Sequence, residues 1–173
     1  MRNKNFFSAV LIFILTNSTF SWAECDTRSI LTSTQKIISS QKISSRNDDD
    51  FLYVISVENT NKENDPYRMV VLNSACDKIF EYRSGDYPFS IFTLSDTSEA
   101  IFSLSTSGSA LVINAFYIDL NNAVSHAFNA HSRNPPSFRF NKSSTMPEII
   151  LDDANKHVIY MFNKEKKKYL KIK

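Results

Sequence analysis

Three histidines, two cysteines and a few short acidic runs are the side chains whose types and spacing first invite chemistry. His126 and His131 stand five residues apart, a separation at which two imidazoles can share a metal. Zinc wants three or four ligands, however, and neither a carboxylate nor a third histidine adjoins this pair. His126, inside Val124-Ser125-His126-Ala127-Phe128, reads as a solvated strand histidine. Asp48-Asp49-Asp50 and Asp152-Asp153 offer the oxygen ligands that calcium takes, but the first run lacks the alternating acidic spacing and the glycine of an EF-hand loop. It reads as a polar boundary before the first strand. The sequence has no Gly-x-Ser-x-Gly elbow, no His-Glu-x-x-His, no glycine-rich phosphate loop and no cysteine pair at zinc spacing. No catalytic residue, metal site or cofactor is therefore assigned. A hydrolase working through His126 or His131 is the competing class.

The cysteines, Cys25 and Cys76, take their meaning from what precedes them. Arg2 and Lys4 form a basic start, Val10 to Leu15 an apolar core, and Ser21-Trp22-Ala23 places small residues where a signal peptidase reads. Residues 1–23 are thus expected to be a secretory signal peptide cleaved before Glu24, leaving no membrane anchor in the mature form and placing the chain in the periplasm. In an oxidising compartment an isolated cysteine pair is most simply a disulfide. Cys25 to Cys76 would close 51 residue steps, worth roughly 4 kcal/mol on the chain-entropy model.

Residues 24–173, 150 in all, suit one domain with a hydrophobic core. Arg2 and Lys4 leave with the leader, so 18 basic residues face 18 acidic ones. Without a net positive field to collect phosphates, nucleic acid is excluded as a partner.

The elements that must position any site are strands. From Phe51 onward, short runs rich in Val, Ile, Phe and Tyr alternate with Asn, Asp, Ser and Lys clusters, the pattern of an all-β chain. The runs are Phe51 to Glu58, Tyr67 to Asn73, Lys78 to Tyr82, Phe89 to Leu94, Ala100 to Leu104, Ala110 to Asp119, Val124 to Phe128, Ser137 to Phe140, Glu148 to Leu151, His157 to Phe162 and Tyr169 to Ile172. Ser29 to Ile43 is the one segment where helix is favoured over extended chain, because Ile30, Leu31, Thr34, Ile37 and Ile38 fall near helical spacing. Short polar connectors predict an antiparallel meander. Phe89 to Phe128 and Phe138 to Ile172 each offer four short strands with an acidic turn, at Asp96 and at Asp152-Asp153, and Phe51 to Tyr82 is a shorter earlier unit. Units of about forty residues resemble propeller blades. Three are too few to close a ring, which leaves an open propeller-like array of small sheets or a two-sheet sandwich. Lys164 to Lys168 reads as a solvated turn that protects an edge.

Gly85 and Gly108 are the two glycines. Gly85 reads as a simple turn. Gly108 sits in Ser105-Thr106-Ser107-Gly108-Ser109, five small residues between apolar runs, a slim hairpin tip rich in hydroxyls.

One cysteine just past the leader, Phe51-Leu52-Tyr53-Val54, Tyr67-Arg68-Met69-Val70-Val71-Leu72 with Cys76 following, and the serine-rich tip together resemble the periplasmic immunity proteins of type VI secretion amidase effectors. The likeness extends over most of the mature chain in architecture and size. It implies a non-enzymatic protein that binds a cysteine-dependent peptidoglycan amidase and plugs its groove with a protruding loop. Ser105, Thr106, Ser107, Gly108 and Ser109 are then the partner-binding residues, with Ser107 to Ser109 as the plug. The alternative is a lysozyme inhibitor or another envelope protein-binding module.

Overall fold

The computed structural model describes residues 25, 31–44, 51–62, 64, 66–85, 87–94, 99–141, 144–153 and 156–172. Among these there is no helix. Twelve strands form three four-stranded antiparallel sheets, each a meander of consecutive strands. The first sheet comprises β1 (Gln35–Ser44), β2 (Phe51–Asn59), β3 (Tyr67–Leu72) and β4 (Lys78–Gly85). The middle sheet comprises β5 (Phe89–Phe92), β6 (Ala100–Ser107), β7 (Ala110–Ile118) and β8 (Val124–Ser132). The last comprises β9 (Ser137–Arg139), β10 (Glu148–Asp153), β11 (Lys156–Asn163) and β12 (Lys168–Lys171). The array of small sheets is thus realised and the two-sheet sandwich is not.

Layering follows from which way alternate side chains point. On β7, Ile113, Ala115 and Tyr117 pack with Met146, Ile149, Leu151 and Tyr169 of the last sheet and its leading loop. Phe116 and Ile118 point the other way, into Leu52, Val54, Met69 and Val71 of the first sheet. The middle sheet is therefore buried on both faces, and Ile113 to Ile118 is an unbroken buried run. A strand covered on both sides reads as continuous apolar sequence, not as alternation. Aromatic rings fill the layer between middle and last sheets, Phe102 meeting Phe138 at 4.9 Å and Phe128 meeting Tyr160 at 4.8 Å, both edge to face. Such pairs add about 0.5–1.5 kcal/mol each beyond the area they bury.

The expected helix over Ser29 to Ile43 is replaced, where the chain is described, by β1, which pairs antiparallel with β2 from Gln35↔Asn59 to Ser44↔Phe51. A bulge between Ile37 and Ser39 disturbs the alternation of apolar residues. Ile37 packs on the outer face of the first sheet while Ile43 enters its inner face. The bulge is why the segment does not read as a strand. The first unit is accordingly four strands long, not the shorter one expected. Elsewhere strands outrun the apolar runs where polar residues continue the ladder: β4 to Gly85, β6 to Ser107 and β8 to Ser132.

Candidate functional site

The serine-rich segment caps the β6–β7 hairpin. Ser105, Thr106 and Ser107 are the last residues of β6, so the turn itself is Gly108-Ser109, closed by the pair Ser107↔Ala110. Gly108 has φ +60°, whereas Ser109 is not in the positive-φ region. Glycine first in a two-residue loop is the arrangement whose twist matches antiparallel strands. Pairing with β5 stops at Ser105 and pairing with β8 stops at Leu111. Residues 107–110 therefore project past both neighbours by about 7 Å, taking roughly 3.4 Å per residue. Thr106, Gly108 and Ser109 are exposed, Ser107 is half-buried and Ser105 is buried. Ser105 thus belongs to the support of the tip, and the hydroxyls presented outward are those of Thr106 and Ser109.

The two cysteines are joined, with Cα atoms 5.6 Å apart. Cys25 is buried against Ile55, Val57, Val70 and Leu72, and Leu31, Ile37 and Tyr53 pack beside it. The bridge thereby ties the N-terminal part of the described chain over the outer face of the first sheet, which would otherwise show Ile55 and Val57 to water.

Between the first and middle sheets lies a polar seam that the sequence did not announce. Asn114, 3% exposed, sits inside the apolar run of β7. Tyr82 donates to its Oδ1 across the sheets at 3.0 Å, and Asn129 and His126 Nε2 donate to the same oxygen at 2.8 and 3.1 Å. Its Nδ2 in turn donates to Ser103, the residue paired with it in register. A buried amide is tolerated because both ends are bonded. His126 is not the solvated strand residue expected. A bulge between Ala115 and Phe116 leaves Ala127 out of the ladder, which turns His126 toward the first sheet, 4.8 Å from the Tyr82 ring and 5.2 Å from Phe116. Its open side borders a shallow groove shared with Asn129, Tyr160, Lys168 and Tyr169.

Burial holds the His126 ring below its ordinary pKa of 6.5; a hydrogen bond with the Phe128 backbone opposes this, and Lys168 on β12 reinforces it. As pH falls, the unfolded chain takes up this proton before the folded one. Stability is therefore full above the unfolded value and declines as pH drops from about 6.5 toward the lower folded value. Urea midpoints measured across that window should fall for the parent chain and stay flatter in His126→Gln. An unchanged slope in the variant would mean that the effect does not come from His126.

The remaining sequence candidates are scattered. His131 is exposed opposite Val112, on the same strand as His126. Among the described residues no three His, Cys, Asp or Glu side chains gather as a metal would need. Residues 1–24, Asp48 to Asp50 and Asp96 lie outside the described residues. Lys167, from the basic run, donates to Asp119 at 3.0 Å and so links the β11–β12 turn to the β7–β8 turn. That contact and two backbone N–H donors, from Ala123 and Asn121, hold the Asp119 carboxyl below its usual range. The chain matches no protein-family model and no curated protein.

Proposed function

We propose that this chain is a periplasmic immunity protein that binds a cysteine-dependent peptidoglycan amidase and occludes its active site, protecting the cell from lysis. The observation that carries the reading is the Gly108-Ser109 turn, which is narrow, uncharged, hydroxyl-bearing and exposed at the end of a sheet buried on both faces. A serine hydroxyl both donates and accepts, so it can engage a catalytic histidine without offering an acyl group to be cleaved. Glycine at the turn lets the backbone enter a narrow groove. Because the hairpin is braced by β5 and β8, little conformational freedom remains to be lost on docking, and more of the contact energy appears as affinity.

The test is inhibition of such an amidase by the chain beginning at Glu24, compared with Ser109→Arg. Ser109 is exposed, so the variant should keep the parent's unfolding midpoint while losing at least about a hundredfold in inhibition, the size of a central contact in an interface. Undiminished inhibition by the variant would remove the tip from the mechanism. Capture of a glycosidase in place of an amidase would favour the lysozyme-inhibitor alternative.

A further inference from the structure

A cavity of about 300 Å³ opens at the foot of the last sheet. It lies between Glu99, which leads into β6, the loop of Asn141, Ser144 and Thr145 between β9 and β10, Glu148 on β10, and Met161, Phe162 and Lys164 on and after β11. We propose that this cavity binds a positively charged amino group on a short aliphatic stem, the chemistry of a lysine side chain or of a small free amine.

Two carboxylates lining one cavity are almost wholly withdrawn from water, Glu99 at 3% and Glu148 at 5% exposure. Buried anions are stable when their oxygens are bonded. Thr145 donates to Glu99 Oε2 at 2.7 Å. Arg139, paired with Glu148 across β9 and β10, reaches it from the exposed face, and both its Nε and its Nη2 grip the same oxygen, Oε2. Both Arg139 contacts reach Oε2, so Oε1 accepts no hydrogen bond from any described residue, and Glu148 lines the cavity. An ammonium group supplies three donors and no acceptor, which matches that oxygen and the lone pairs of the Thr145 hydroxyl. Met161 and Phe162 form an apolar wall of the kind methylene groups cover.

Among the described residues around the cavity, the formal charges of Arg139 and Lys164 offset those of the two glutamates. Recognition is local, through Oε1. Lys164 is exposed, and water screens it far more than it screens a buried carboxylate. An anionic ligand would face two desolvated carboxylates and is excluded.

Backbone amide NMR titrations of the unbound protein test this with n-butylamine as the free amine and Nα-acetyl-lysine N-methylamide as the peptide-borne one. n-Butanol and the corresponding norleucine derivative serve as uncharged controls. Saturable shifts at Thr145 and Phe162 are expected with either charged probe and not with the controls; a response to the lysine derivative alone identifies a peptide as the source. Glu148→Gln should weaken binding about tenfold, the loss of one charge-assisted hydrogen bond. Should that variant fold poorly, Met161→Lys decides the matter. Met161 is 37% exposed, and the new ammonium at the rim should occupy the site and abolish the titration. Equal shifts with n-butanol, or undiminished binding in Met161→Lys, would overturn the assignment.

Discussion

Phe116→Ala is expected to lower the free energy of unfolding by about 4 kcal/mol, in the range for deleting a large buried ring. Phe116 is fully buried. Its ring lies 5.8 Å from Phe80 and 5.0 Å from Tyr82, both edge to face, so it is the joint between the first and middle sheets. The strand that carries it is paired on both sides, to β6 and β8. The backbone therefore cannot move in to fill the space, and the cost of the cavity adds to the lost transfer energy. Urea unfolding at pH 7.5 measures the difference, with circular dichroism to show that the sheets persist. A loss below about 1 kcal/mol would mean that the two layers close over the gap, contrary to a rigid middle sheet.

Replacing both cysteines with alanine is expected to cost a similar amount, roughly 4 kcal/mol for releasing a loop of this length in the unfolded chain. Loss of the tether adds a second effect. The segment around Cys25 and Leu31 covers Ile55, Val57, Val70 and Leu72, and without it that face gains contact with water. The parent protein should show no alkylatable thiol until it is reduced, and reduced parent and double variant should unfold at matching urea concentrations. Equal stability of the parent and the variant would mean that packing alone holds the segment down.

The strand content was legible because most of the fold is governed by short apolar runs between polar turns. Each of the eleven apolar runs corresponds to a strand, because hairpins connect neighbours and pairing runs between strands adjacent in sequence. The twelfth, β1, was hidden. Its bulge breaks the period of two, and its apolar residues divide between the two faces of the first sheet, giving a spacing that imitates a helix. The disulfide was legible from the cysteine count and the expected compartment, and the structure joins Cys25 to Cys76. The tip was legible as five small residues, but not its division into a supporting Ser105 and a presented Ser109, since burial there depends on where β5 ends. Asn114 carried a faint signal, as the lone amide in an apolar run. His126 and Glu148 carried none: what buries them comes from other strands, Tyr82 on β4 and Arg139 on β9.

The meander has a consequence for how the chain reaches this state. Every hydrogen-bonded pairing joins strands adjacent in sequence, so the loops that must close are short, and closure entropy grows with loop length. Low contact order of this kind favours fast formation of each sheet. The stacking of one layer on the next comes from residues far apart, such as Leu52 with Phe116. Until both neighbours dock, the middle sheet shows water two apolar faces, and an intermediate of that sort is prone to aggregate. The part of the molecule that holds the tip most firmly once folded is thus the part most in need of shelter while it folds.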